Sequence, residues 1–225
     1  MQILTYRKTF LLSALILLSS GCHLQMHDGV RGSGVREKQK REVASFTSIA
    51  TNGAFDIDVV CQKPQTLEIE GDDNLLSLIT TEVSNNVLHI KSNGNFSVSD
   101  PIKVRISLPN LESMATNGAG KIDVSGLKND KFEIDANGAT TIRVAGETKL
   151  VDIDTNGAGK IDAHKLRATR GVVEAKGVAG VEVNVTEQLD VTVSGPSHVT
   201  YEGDPAVNKT VHGPGSVSKK ENEGS

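Results

Sequence analysis

The octapeptide TNGAGKID stands at Thr116–Asp123 and recurs, letter for letter, at Thr155–Asp162. One active site needs its catalytic motif once. An unchanged copy therefore points to a backbone shape that must be made again. A related stretch, ANGATTIRV (Ala136–Val144), falls between the copies, and ATNGAFDIDV (Ala50–Val59) carries the same signature earlier. AKGVAGVEV, VSGPSHVTY and VHGPGSVSK continue the rhythm with fewer shared letters. The turn glycines Gly118, Gly138, Gly157, Gly177, Gly195 and Gly213 recur at nearly even steps, which shorten slightly towards the C-terminus.

A period of about 20 residues is a signature of solenoids. Around each turn the hydrophobic period is two, as in FDIDVVC, TLEIE, VLHIK and KVRIS, the pattern of strands with one buried face. Two short strands and two turns fit one coil of an all-β, parallel β-helix-like solenoid of about 18–20 residues per coil. Successive coils then lie about 4.8 Å apart, and each corner sits on the one before it. Asn52-Gly53, Asn117-Gly118, Asn137-Gly138 and Asn156-Gly157 are the expected turn ladder. Glycine there supplies positive φ, and stacked asparagines bond from coil to coil. A β-sandwich or a β-propeller is the alternative, although Asn137-Gly138 halves the spacing between the two octapeptides and would leave a propeller too few blades. Leucine-rich repeats need a denser Leu and Asn pattern.

The N-terminus reads as an export signal. Arg7 and Lys8 precede the apolar FLLSALILL (Phe10–Leu18), and SSGC (Ser19–Cys22) follows. This order, ending on a cysteine after small residues, predicts a lipoprotein signal over 1–21 with Cys22 as the lipid-attachment residue. His23 after it, by resemblance to lipoproteins of double-membraned bacteria, favours the outer membrane. Residues 22–43 are polar and read as a flexible tether, 44–218 as the β domain and 219–225 as a disordered tail. Of the two cysteines, Cys61 continues the inward alternation of Phe55, Ile57 and Val59 and is expected buried and inert. Asn85-Asn86 between apolar runs predicts a tight hairpin. DDNLLSLI (Asp72–Ile79) fits either a helical turn or a strand.

A net charge of −4 leaves no nucleic-acid footprint. No Trp, two Tyr and five Phe count mildly against a compact enzyme or a sugar-stacking platform. GAGKID places its Asp three residues after the Gly, outside the calcium-roll pattern. His89, His164, His198 and His212 have no paired metal-ligand spacing. The expected metal and cofactor sets are therefore empty. Stacking could gather Asp135, Asp154 and Lys160 on one face, but repetition produces such clusters without an active site. No nucleophile elbow or phosphate-cradling loop is present.

Taken together, REVASFTSIATNGAFDIDV, TLEIEGDDNLLSLITTEVSNNVLHIK, VRISLPNLESMATNGAGKIDVSGL and the repeated NGAG turns resemble the autotransporter-adhesin head GIN domain family over about Val43 to Ser218. That resemblance implies a right-handed β-helix-like fold and an adhesin role, with no catalytic residues to carry over. The expected function is a lipid-anchored envelope protein whose repetitive face binds a surface glycan or protein. The alternatives are a structural or regulatory envelope module and a polysaccharide-active enzyme.

Overall fold

The structure is a computed structural model that describes residues 29–220. Along the chain run β1 (Val30–Arg31), β2 (Arg36–Lys40), β3 (Ser48–Cys61), β4 (Thr66–Asp72), β5 (Ile79–Ser84), β6 (Val87–Ser92), β7 (Phe96–Ser97), β8 (Ile102–Leu108), β9 (Ser113–Gly157), β10 (Lys160–Gly177), β11 (Gly180–Ser194), β12 (His198–Glu202), β13 (Ala206–His212) and β14 (Ser216–Lys219). The fold is all-β, and a single 3-10 turn at Leu76–Leu78 is the helical element among the described residues. The predicted signal over 1–21, Cys22, and residues 221–225 of the predicted tail lie outside the described residues.

From β9 onward every pass of chain pairs parallel with the one before it. β10 lies between β9 and β11, with Ile161 opposite Ile142 on one side and Val181 on the other. The column continues through Val199 and Val217. Its members are buried up to Val199, while Val217 is half-buried and packs against the core. Outward neighbours such as Asp162 and Glu182 stack in columns of their own. β3 joins the same stack across a gap in sequence. Asn52 lies opposite Asn117 and Gly53 opposite Gly118, although β4 to β8 intervene along the chain.

The identical corners exist because backbone touches backbone. A Cβ on Gly118 would stand 2.0 Å from the Gly53 carbonyl oxygen, and one on Gly138 or Gly157 would stand 2.2 Å from the glycine oxygen below it. Positive φ, expected from the sequence, adds to this at Gly53, Gly177, Gly195 and Gly213. Gly138 has φ +129, but neither Gly118 nor Gly157 lies in the positive region. The closest approach then relaxes to 2.6 Å at Gly177, 3.0 Å at Gly195 and 3.5 Å at Gly213. The octapeptide loses its letters over the same passes, as the steric demand weakens. Its threonine is an inner residue: Thr155 is buried, and its hydroxyl donates to the Ala136 carbonyl 3.2 Å away. At the Gly195 corner, Ser197 takes over, with its hydroxyl donating to Gly177 O and accepting from the Ala179 N–H.

The N-terminal part departs from this scheme. β4 pairs antiparallel with both β8 and β2, and β5 pairs antiparallel with β6. The sheets are therefore mixed, where a uniformly parallel solenoid over 44–218 was expected. Beneath β3 lie β6 and β8, the first half of β3 pairing with β6 and the second with β8. Residues 30–31 and 36–40 of the expected tether are strand: β1 pairs with β7 and β2 covers the β4 edge. Charge on REKQK hides β2 from a reading by hydrophobic period, and edge strands carry such charge because it deters further pairing. Asn85 and Asn86 have φ +51 and +63 and make the β5–β6 hairpin. Asp72–Ile79 becomes the 3-10 turn followed by the start of β5.

Candidate functional site

Pairing in register turns the outward residues of each strand into long rows. One row runs Lys40, Glu68, Arg105, Asp58, Asp123 and another Arg143, Asp162, Glu182, Thr200, Ser218. The Arg143 guanidinium, 3.4 Å from Asp123, links the two. A flanking row holds Lys38, Glu70, Lys103, Asp56 and Lys121. Signs largely alternate, as expected where like charges set directly opposite carry a cost. Arg105 donates to Glu68 and Glu70 at 3.0 and 2.9 Å, and the bond from Arg105 holds the Glu70 carboxyl below its ordinary pKa against the opposing effect of burial. Exposed pairs of this kind each contribute only about 0–1 kcal/mol. Their main effect is to hold an ordered array of charges.

The strand wall preceding each Asn-Gly corner is more acidic. Asp154 lies opposite Glu174, and Lys176 reaches both, 3.6 Å from Asp154 and 3.1 Å from Glu174. Burial first, then Glu174 and Asp135, raises the Asp154 pKa, and Lys176 only partly offsets them. Lys160 does not join this group; it bonds Glu182 on the other wall at 2.8 Å. Of the cluster considered from sequence, Asp135 and Asp154 come together and Lys160 does not join them.

A third surface follows the corners at Asn129, Thr148 and Ala168. Two open grooves of about 610 and 550 Å³ run along it, sharing Lys128, Asn129 and Asp130. Their walls are polar, with Lys and Glu in both and Thr in the second, and no aromatic side chain is among the lining residues. Thr148 donates to Asn129 at 2.7 Å and Asn129 to the Leu111 carbonyl at 2.6 Å, so the floor is fixed.

Asn52, Asn117, Asn137 and Asn156 all point outward and are exposed, and Gly53, Gly118, Gly138 and Gly157 form the touching column beneath them. Among the described residues no hydrogen bond joins one turn asparagine to the next, contrary to the expected side-chain ladder. Asn137 donates instead to Asp135 of its own strand, 2.7 Å away. Cys61 is a free, buried thiol whose pKa burial pushes up to about 11, away from reactivity.

One group escapes the reading by sequence. Asp162, His164 and Glu182 bring a ring nitrogen and two carboxylates within 4.8 Å of one another. His164 Nδ1 hydrogen-bonds Asp162 Oδ1. The signal is present as Asp-x-His on one strand, with the acidic Glu182 at the paired position of the next strand. A search for paired histidines conceals it.

Among solved structures, a "putative adhesin" from Bacteroides fragilis NCTC 9343 is similar over 85% of this chain and 100% of that one, with 22% identity and a TM-score of 0.70. A "putative adhesin" from Parabacteroides merdae ATCC 43184 gives 17% identity and 0.53 over 86% and 100%. A "putative lipid binding protein" from Parabacteroides distasonis ATCC 8503 gives 19% and 0.50 over the same shares. Likeness at these identities speaks for the fold. No curated protein matches. Residues 45–205, well over half of the chain, match one family throughout, and the chain belongs to it: the family described as "Putative auto-transporter adhesin, head GIN domain".

Proposed function

We propose that this protein is a cell-envelope adhesion module. It is anchored by lipid on Cys22, in the outer membrane. Its right-handed β-solenoid, of about 18–20 residues per coil, displays a repeating polar face. The observation that carries this reading is the ordered charge row from Lys40 to Asp123 and from Arg143 to Ser218. Residues spaced about 4.8 Å apart along each row offer many weak, equivalent contacts to an extended glycan or a protein surface. Family membership agrees with adhesion, and the polar grooves at Asn129 and Thr148 add hydrogen-bonding floors beside the rows. A fold hosts many functions, so the row and not the fold carries the proposal.

The test is a glycan and envelope-protein array probed with the fragment after Cys22, alongside Arg143→Glu and Lys160→Glu variants. Binding that falls in both variants, together with loss of attachment when the gene is deleted, is the expected result. Silence on the array with unchanged attachment overturns the reading. Cys22→Ala should move the protein from the membrane to the soluble fraction; a protein that stays bound refutes the lipid anchor.

A further inference from the structure

We propose that Asp162, His164 and Glu182 form a binding site for one divalent transition ion of the Zn2+ type. The proposal is independent of the adhesion reading and rests on three observations.

The first is the donor set. An imidazole nitrogen and two carboxylates lie within 4.8 Å of one another. Ligands of one zinc ion, at about 2.0–2.2 Å each, stand about 3.4 Å apart, so side-chain rotation alone can close the site. Mixed nitrogen and oxygen donors suit a borderline ion and argue against Ca2+ or Mg2+, which take oxygen. Three protein ligands leave a position open for water or for an oxygen of a bound partner.

The second is local backbone geometry. Asp162 pairs with Arg143 and Glu182, but His164 has no partner on either side, and the register of β10 shifts here against both β9 and β11. An inserted residue of this kind re-aims a side chain. Asn184 of the next pass donates to the His164 carbonyl at 3.3 Å and holds the irregular segment. The repeat is thus interrupted at the residue that brings the imidazole to the carboxylates.

The third is the set of cations already gathered there. In-register pairing sets Asp162 directly opposite Glu182, an arrangement that is unfavourable unless positive charge lies between. Lys160 and Lys220 stand 2.8 and 3.4 Å from Glu182. Both lysines are about half exposed at their side chains, 54% and 44%. They can swing into water when an ion takes their place.

The full chain, purified in detergent and stripped with a chelator, should take up one Zn2+ in calorimetry, and Co2+ should give a visible absorption band. Uptake should melt the protein at a higher temperature. His164→Ala should weaken binding by at least the ~10–100-fold that loss of an outer-shell partner costs, and Glu182→Gln should weaken it as well. Lys160→Met should tighten it, because a competing cation is gone; a merely structural lysine would not do this. Each variant is melted without metal to confirm its fold. No uptake by the wild type, or uptake undiminished in both His164→Ala and Glu182→Gln, overturns the site.

Discussion

The stack of β3 with β9 to β14 and the rest of the region from β1 to β8 are built by different rules. In the stack, strands run parallel and in register, so each residue meets its equivalent in the next pass. Any steric demand at a corner is then imposed again on the next pass, and the sequence repeats. In the β1–β8 region, β2, β4 and β8 are antiparallel neighbours. Antiparallel pairing sets unlike segments against each other, so nothing forces a repeat. The repeat thus reports contact between equivalent corners, while its absence marks the end of the molecule where β2 closes the edge with charge.

The sharpest way to break this comparison is to add a side chain at one glycine from each region. At Gly138 the Cβ would meet the Gly118 carbonyl oxygen at 2.2 Å, with φ at +129. Overpacking costs about 1–3 kcal/mol and residence in a sparsely populated backbone region about 1–3 kcal/mol. Gly138→Val should therefore cost about 4 kcal/mol, which at this chain length lowers the melting temperature by about 8–16 °C. Gly34 has φ +79 but no atom within 4 Å of its Cβ position. Gly34→Ala should cost only the backbone part, about 1–2 kcal/mol. Equal losses at the two sites in thermal melts would show that backbone contact between passes is not what fixes the octapeptide.

Second in size is Arg41, in the antiparallel region. Its guanidinium donates to the carbonyls of Leu76 and Ile79 and to the Thr81 hydroxyl, and burial lowers its pKa. It ties the segment after β2 to the 3-10 turn and β5, where no repeated contact does so. Arg41→Met leaves two carbonyls short of a donor and should cost about 2–3 kcal/mol, measured by denaturant unfolding. A neutral result would mean that the β1–β8 region is held by apolar packing alone.

These two regions also explain what can be read in advance. The all-β class, the Asn-Gly corners and the Asn85-Asn86 hairpin follow from local letters, because each is set by contacts between neighbours or between identical copies. The threonine of TNGAGKID is legible only as repetition, since its partner, the Ala136 carbonyl, is contributed by another pass. β2 reads as tether because REKQK shows no apolar alternation, and its partner β4 lies beyond β3 in the chain without a shared motif. His164 is hidden for a related reason: a register shift is an exception to the period, and a search by period averages it out. Positive φ and close approach both select glycine, so the letter alone does not tell them apart.

A smaller effect, shared by the two regions, depends on acid. Arg105 donates to Glu70 and Lys160 to Glu182, and both carboxyls lie below their ordinary value of 4.5. A folded-state value depressed below the unfolded one gives stabilisation that is full above the ordinary value and lost as pH falls through the folded one. Arg105→Met and Lys160→Met should therefore each destabilise at pH 7, while their deficit against the parent chain shrinks as the pH falls below 4.5. Measured melts at several pH values decide it. A deficit that stays constant down to low pH would assign the loss to packing of the long side chains instead of charge.

The smallest expected change has the opposite sign and lies in the parallel stack. Asp154 is held above its ordinary value by burial, by Glu174 opposite and by Asp135, with Lys176 opposing. A raised folded-state pKa means that the fold prefers the protonated carboxyl, so ionisation at neutral pH costs stability that is absent in acid. Asp154→Asn keeps the shape, removes that charge and should raise the melting temperature slightly at pH 7, by an amount that disappears as the pH falls below the ordinary aspartate range. Burial sets the direction, and in-register pairing adds to it by setting Asp154 against Glu174 where an antiparallel sheet could have offered a lysine, as Glu70 is offered Lys38 and Lys103. A lower melting temperature in Asp154→Asn would mean that Lys176 outweighs the two carboxylates, and that the acidic wall is stabilised by its charges and not strained by them.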